Sequence, residues 1–405
     1  MNYVKIGRSV AVGDVILPAS KSILHRAYIC AALSKGVSVI HGTNDCDDVN
    51  ATLDCIGSLG ALYERKKDKT VIIGNGFMHS SPLRCRESAS TLRLLLPLML
   101  CGKKTEFICD GALSSRPMDV YRDICGMLGA DYVNQDGMVS VCGILRPGEY
   151  RVRADISSQF ISGLMLALPL VDGNSRIIFT TEPKSKGYML ITQKIMSLFG
   201  VNVEVKDDCV NIAGGRHYSP ATVIAEADES CAAYIGAFNC IGGSINIKNR
   251  AIGSIQGDSV WQDVFDELCR PDPVIDIKNT PDLAPVLMAL AALKNGVVLQ
   301  GTDRLRYKES DRGYTMARAI RAFGADVSFG DDSITVMPAA NGLHEPNTPL
   351  DPCGDHRICM ALSLMCSVCG GNICDPTCVA KSYKNYFDDL NSLGIKTEIC
   401  EIQDE

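Results

Sequence analysis

Four cations and two acids crowd the nine residues Arg304-Leu305-Arg306-Tyr307-Lys308-Glu309-Ser310-Asp311-Arg312. Such a run reads in two ways. It is an exposed ion-pair network, or a turn into a helix where Lys308 and Arg312 grip a phosphate or carboxylate and Glu309 delivers a proton. Six other pieces have a similar character. Lys21, Ser22 and Arg26 lie about one turn apart in Pro18-Ala19-Ser20-Lys21-Ser22-Ile23-Leu24-His25-Arg26, where both cations can reach an anion at a helix start. Small hydroxyl residues in Arg86-Glu87-Ser88-Ala89-Ser90-Thr91-Leu92-Arg93 let backbone and donors approach a ligand. Arg93 there sits on an apolar helix and needs a partner, either Glu87, a neighbouring carboxylate or the substrate. Ser157-Ser158-Gln159 opens another helix. Asp282, in Thr280-Pro281-Asp282-Leu283, is an N-cap or a general base. Asp355-His356-Arg357 and Lys381 complete the set. Together they fit proton transfer beside a bound phosphate or carboxylate.

The elements that must position these residues repeat. Leu59-Gly60-Ala61, Leu128-Gly129-Ala130, Phe199-Gly200-Val201, Phe323-Gly324-Ala325 and Leu393-Gly394-Ile395 each close a helix. The glycines are 69, 71, 124 and 70 residues apart, so the chain reads as six copies of a unit of about 67 residues, the fourth having lost its signature near Leu268. After each glycine comes an alternating hairpin pattern, and before each signature helix an Ala/Leu/Met/Cys-rich helix starting near Lys21, Ser90, Ser158, Ser230, Asp282 or His356. The fold class is therefore α/β, in βαβαββ units around buried helices. Three units per domain make two similar domains. The strand Asn2 to Val10 reads as a fragment of the last unit, so the first domain takes 1–17 plus 226–405 and 18–225 is inserted. Helix starts concentrate positive potential, and six of them converging would make an anion site.

Composition excludes several classes. A net charge of −7 argues against a nucleic-acid surface. The longest apolar run, Leu92 to Cys101, is broken by Arg93 and Pro97, so no membrane partner is expected. No signal or transit pattern opens the chain, and 19 scattered cysteines fit reduced thiols in a cytoplasmic protein. Cys353, His356, Cys359, Cys366, Cys369, Cys374 and Cys378 crowd one stretch, but lie largely in an apolar helical run. They read as buried thiols, so neither metal nor cofactor is expected.

Taken in order, Pro-x-Ser-Lys-Ser-x-x-x-Arg, Glu-Ser-x-Ser-Thr-x-Arg, Arg116-Pro117-Met118, Ser-Ser-Gln, Lys-Glu-Ser-Asp-Arg and Asp-His-Arg resemble the 5-enolpyruvylshikimate-3-phosphate synthase family along essentially the whole chain. The resemblance implies the enolpyruvyl transferase fold and two substrates, shikimate 3-phosphate and phosphoenolpyruvate, in the aromatic amino acid pathway, with the chain working as a monomer. It implies that Lys21, Ser22, Arg26, Ser157, Ser158, Gln159, Ser185, Asp282 and Lys308 contact shikimate 3-phosphate. Lys21, Ala89, Arg116, Gln159, Arg312, Arg357 and Lys381 would contact phosphoenolpyruvate. Asp282 would take the proton of the 5-hydroxyl and Glu309 deliver one to the methylene carbon, with Lys21 assisting. Phosphate would leave from a tetrahedral ketal.

Two positions depart from the family pattern. Ala89 stands where most members have Gly, in a motif usually opened by Asn instead of Glu87. Its methyl would narrow the phosphoenolpyruvate pocket and exclude the bulkier inhibitor glyphosate. Arg304 stands where some members place Asn, so that contact is not carried over. The competing readings are UDP-N-acetylglucosamine enolpyruvyl transferase, which uses a mobile-loop Cys before its Arg-Pro as Cys109 precedes Arg116 here, and a catalytically inactive anion-binding relative.

Overall fold

The five signature glycines all adopt positive φ, from 65° at Gly129 to 99° at Gly60. That conformation costs glycine no Cβ clash. In each copy the amide of the next residue then bonds a carbonyl five residues back, Ala61 to Ile56, Ala130 to Cys125, Val201 to Met196, Ala325 to Ile320 and Ile395 to Leu390, at 2.8–3.3 Å. This is the Schellman closure of a helix, with an apolar residue after the glycine folding back onto the protein. The recurring Leu-Gly-Ala phrase is thus a helix-ending device that launches a hairpin.

The computed structural model describes residues 2–401, and only the backbone of Glu401. Two strands come first, β1 (Asn2–Ile6) and β2 (Val12–Val15). The first unit follows with α1 (Lys21–Leu33), β3 (Lys35–His41), α2 (Asp47–Ser58), β4 (Leu62–Arg65) and β5 (Lys69–Asn75). The second has β6 (Leu83–Arg86), α3 (Ala89–Leu95), β7 (Thr105–Cys109), α4 (Asp119–Leu128), β8 (Asp131–Gln135) and β9 (Met138–Cys142). The third has β10 (Glu149–Val152), α5 (Ser158–Ala167), β11 (Ser175–Phe179), α6 (Lys186–Leu198), β12 (Val203–Val205) and β13 (Cys209–Ile212). Then come β14 (Thr222–Ile224), α7 (Glu229–Gly236), β15 (Ser244–Ile247) and α8 (Trp261–Leu268). The fifth unit has β16 (Val274–Asp276), α9 (Ala284–Leu293), β17 (Val297–Gln300), α10 (Arg312–Ala322), β18 (Asp326–Phe329) and β19 (Ser333–Met337). The last has α11 (His356–Cys369), β20 (Gly371–Cys374), α12 (Tyr386–Ser392) and β21 (Thr397–Glu401).

A complete unit makes a four-stranded sheet with its first two strands parallel and the hairpin antiparallel, as in β16-β17-β19-β18. The sixth sheet, β20-β1-β21, takes its central strand from the N-terminus. The first unit takes its opening strand, β14, from the end of the third, and β2 opens the fourth by pairing with β15. The chain divides into two compact units, one running to Pro18 and resuming at Ala227, the other Ala19–Glu226. Each crossing falls one residue later than the sequence places it. Each unit encloses its own apolar core. The buried helices are almost wholly enclosed: α9 buries nine residues and α11 thirteen.

The fourth copy departs from the expected βαβαββ pattern. From α8 the chain passes through Pro271 and Pro273 straight into β16, so the hairpin is missing along with its glycine. Its sheet has only β15 and β2. The amides of Ser244 and Lys248 turn toward β2, leaving Ile245 facing the side where a hairpin strand would lie. There the Asn239 side chain takes over both bonds, accepting from the Ile245 amide at 2.7 Å and donating to its carbonyl at 2.9 Å. One amide side chain replaces a strand's pairing, which satisfies polar groups that would otherwise be costly to leave unbonded.

Candidate active site

In the compact unit that resumes at Ala227, the chemistry gathers between the start of α9 and the start of α10. Asp282 is not the helix cap, since α9 begins at Ala284 after Leu283. Its carboxylate instead accepts from Lys308 Nζ at 3.0 Å and Arg312 Nη1 at 2.6 Å. Arg312 also holds Glu309 at 2.7 Å and Asp355 at 2.8 Å. With 1 % of its surface exposed, Arg312 makes this a buried network, not the solvated one that the charge run also allowed. Asp355 caps α11 by accepting from the Arg357 amide at 2.9 Å, and it accepts from Ser310 Oγ at 3.2 Å. One carboxylate thereby ties the Lys-Glu-Ser-Asp-Arg turn to the Asp-His-Arg turn.

Burial alone would raise the Asp282 carboxyl, but Lys308, Arg312 and Arg357 hold it well below the usual carboxylate range. It is ionised at neutral pH, the form a base needs. Lys308 moves down because burial disfavours its charge, despite Asp282. Burial also opposes the Arg312 charge, and Asp355, Glu309 and Asp282 more than offset it. Arg357 is buried, lies 5.3 Å over the Tyr234 ring, and reaches Cys231 Sγ at 4.0 Å. Among the described residues no carboxylate pairs directly with it, and its buried Nε has no hydrogen bond. Lys381, at the end of the turn Pro376–Lys381, donates to the Gly354 carbonyl at 2.9 Å, beside the same Asp-His-Arg turn.

A second set lies within Ala19–Glu226. Lys21 opens α1 and bonds Asp48, in the first turn of α2, at 2.8 Å. Arg26 is 2 % exposed and bonds only neutral groups, Thr192 Oγ1 at 2.6 Å, the Ser22 carbonyl at 2.8 Å and Ser162 Oγ at 3.3 Å. Burial pulls it down to about 10, so it remains a cation at neutral pH. Ser157 caps α5 and Ser158 is its first residue. Gln159 is fixed at both ends, accepting from Arg93 at 3.0 Å and donating to Ser90 at 2.8 Å. Arg93 also donates to the Pro117 carbonyl at 2.9 Å and packs 4.7 Å over Phe160. It therefore orients Gln159 and the Arg116-Pro117 turn. Ser185, buried and with φ of 58°, precedes α6. Ala89 is the first residue of α3, nearly enclosed after the cap Ser88.

Sequence reasoning missed three supporting groups. Asp48 and Thr192 meet the predicted cations, but only across helices far apart in sequence. Tyr234, on α7, donates to the Asp282 carbonyl at 2.9 Å and stacks under Arg357. The fourth copy, which lost its signature, supplies that floor. No spacing in the sequence signals it. The crowded cysteines hold no metal-like arrangement: among the described residues no group of three His, Cys, Asp or Glu could bind a metal. Cys359, Cys366 and Cys369 are buried along α11, and Cys378 is buried too. The expectation of burial fails for Cys353, which is exposed in the turn before α11, and for Cys374, which is half-buried at the end of β20.

The description "EPSP synthase (3-phosphoshikimate 1-carboxyvinyltransferase)" matches residues 6–390. A 3-phosphoshikimate 1-carboxyvinyltransferase from Clostridium kluyveri is 35% identical over 420 residues, covering 97% of this chain and 98% of the relative. One from Clostridioides difficile is 34% identical over 433 residues, covering 97% and 98%. Among solved structures, an EPSP synthase from Acinetobacter baumannii superposes with a TM-score of 0.80 at 21% identity, covering 99% of this chain and 100% of that one. The enolpyruvyl transferase NikO from Streptomyces tendae reaches 0.77 at 16% identity, covering 98% of each. The last two similarities establish the fold, and the matches along the sequence establish the lineage: this chain belongs to the EPSP synthase (3-phosphoshikimate 1-carboxyvinyltransferase) family.

Proposed function

We propose that this chain transfers the enolpyruvyl group of phosphoenolpyruvate to the 5-hydroxyl of shikimate 3-phosphate, releasing phosphate, for aromatic amino acid synthesis. The observation that carries the reading is the joint grip of Arg312 on Asp282 and Glu309, in a chain whose relatives are named for this reaction. A pure binder has no use for two carboxylates held by one buried cation.

Asp282 takes the proton of the attacking hydroxyl while Glu309 protonates carbon 3 of phosphoenolpyruvate. Carbon 2 then accepts the new C–O bond and becomes a tetrahedral phosphate ketal. Loss of a proton from carbon 3 re-forms the double bond and breaks the C–O bond to phosphate. Lys21, Ser22, Arg26, Ser157, Ser158, Gln159, Ser185 and Lys308 bind shikimate 3-phosphate. Lys21, Ala89, Arg116, Gln159, Arg312, Arg357 and Lys381 surround phosphoenolpyruvate. Electrostatics support that division. Two unit charges 4 Å apart repel by about 4 kcal/mol at an effective dielectric of 20, so two polyanions need several cations. Arg26 and Arg357 are buried guanidiniums without a directly paired carboxylate among the described residues, and a substrate anion completes each. As substrate anions draw Lys308 and Arg312 toward themselves, Asp282 loses the partners that hold it acidic and becomes a stronger base.

The UDP-N-acetylglucosamine reading asks Cys109 to be mobile and reactive. Here it is a buried residue of β7 whose thiol is pushed up to about 12 by burial and Asp110, and thiols react as thiolates. Phosphate release from phosphoenolpyruvate, measured with each acceptor, tests the proposal. Release with shikimate 3-phosphate alone supports it, and release with UDP-N-acetylglucosamine alone overturns it. The chain is taken to act as a cytoplasmic monomer; among the described residues no helix is long and apolar enough to cross a membrane.

A further inference from the structure

A second buried carboxyl group is tied to α7, the same helix that bonds the Asp282 carbonyl, and lies outside every role described above. Asp258 stands in the short helical turn Gly257–Val260 and is 3 % exposed. One of its oxygens accepts from Ser230 Oγ, in the first turn of α7, and the other is buried without any hydrogen-bond partner. One turn along the same face of α7, Tyr234 donates to the Asp282 carbonyl and carries Arg357 over its ring. The start of α7 therefore joins Asp258 to the base and to its neighbouring cation.

We infer that Asp258 is a positioning residue for the enolpyruvyl transfer, an electrostatic partner that sets the basicity of Asp282. Asp282 itself need not be approached by solvent or by Asp258 for this; a like charge nearby is enough. The inference rests on the reading of Asp282 as the base.

A buried carboxylate oxygen with no donor is costly to charge. Burial, and then the like charge of Asp282, lift the Asp258 carboxyl to about 7, against the Ser230 bond and Arg357, with Asp228 adding to the lift. Asp282, facing Lys308, Arg312 and Arg357, stays low. The two carboxyls are thus driven apart, the pattern by which paired acids acquire different tasks. Below neutrality Asp258 is neutral and leaves Asp282 to its cations. Above neutrality it is charged, and its repulsion makes Asp282 a stronger base.

The experiment is the pH profile of kcat for the full chain with Asp258→Asn, which keeps shape and hydrogen bonding but cannot ionise. The ratio of wild-type to variant kcat is expected to grow about threefold between pH 6 and pH 8.5, following the Brønsted gain of a stronger base. A ratio constant over that range overturns the inference, as a merely structural role predicts. Ser230→Ala supplies the second arm. It removes the donor that favours the charged form, so the inflection in the profile moves to higher pH; an unmoved inflection also counts against the idea. Thermal melting gives a readout independent of turnover. A raised folded-state value penalises the fold as pH climbs from about 4 to 7, so Asp258→Asn melts higher than wild type at pH 8 and shows no such gain at pH 4. Asp282→Asn separates the two levels. If it retains turnover, the base assignment fails; if it is dead while the Asp258→Asn ratio stays flat, only the present inference fails.

Discussion

Arg312 and Arg26 are both buried guanidiniums, yet they live in opposite surroundings. Arg312 is held by three carboxylates, Asp282, Glu309 and Asp355. Arg26 is held by two hydroxyls and a carbonyl. The first cation is electrically complete without ligand and organises acids. The second keeps an uncompensated charge in a low-dielectric setting, which favours an anion strongly. Under the proposed function, Arg312 holds the acids in place for proton transfer while Arg26 is poised to take up an anion.

The sharpest break of that comparison is Asp282→Asn. Turnover falls by about 10³-fold or more, in the range for a lost general base. Shikimate 3-phosphate is expected still to bind by calorimetry, because Lys21 and Arg26, proposed to hold it, lie in the other unit. Loss of both turnover and binding would refute the division.

Next in size is Arg312→Met, which takes a cation from the buried Asp355 and from the half-buried Asp282 and Glu309. Removing one partner of a buried network costs about 3–5 kcal/mol, read as a drop in the urea midpoint. The pH dependence fixes its origin. Asp282 is depressed in the folded protein, so its stabilisation is present above the ordinary carboxylate value and disappears as pH falls through the folded one. The gap between wild type and variant therefore narrows below about pH 4. A gap that stays constant to pH 3 would place the loss in packing instead of charge.

Arg26→Met should behave in the reverse manner. It deletes a cation with no carboxylate to strand, so melting changes little, while shikimate 3-phosphate affinity drops by about 10²-fold, as expected for a lost charge-assisted contact in a buried site. A large fall in melting temperature with unchanged affinity would make Arg26 a structural residue and erase the contrast with Arg312.

The same contrast explains how far the sequence could be read. The repeat was legible because its signature is a local device: glycine at positive φ followed by an apolar residue ends a helix wherever it occurs. The hairpin missing from the fourth copy was hinted at by a gap of 124 residues, short of two periods. Motif order carried the family. Pairing within Lys308-Glu309-Ser310-Asp311-Arg312 was also within reach, since Glu309 and Arg312 are three apart on a helix start. What stayed hidden depends on contacts between distant segments. Arg93 had Glu87 as an obvious nearby partner, but the fold gives it Gln159 and Pro117. Tyr234 and Asp258 sit in the copy with no signature; Tyr234 reaches the Asp282 carbonyl, and Asp258 bonds Ser230, one turn from Tyr234 on α7, only through tertiary packing.

Ala89 gives the smallest effect and tests the anion-capturing side at the level of one methyl. It begins α3 with 4 % of its surface exposed, so its Cβ is enclosed and not a free surface group. A single methyl in a snug pocket is worth about tenfold or somewhat more in discrimination. We predict that Ala89→Gly lowers the inhibition constant of glyphosate by about tenfold. The KM for phosphoenolpyruvate should move by less than about threefold, because the smaller ligand already fits beside the methyl. Steady-state inhibition at fixed shikimate 3-phosphate decides it. Unchanged inhibition would show that the methyl faces the core alone, leaving discrimination to charge. Equal gains for both ligands would show that it limits access for any anion, so that capture beside α3 is governed by space as well as by the cations that Arg26 exemplifies.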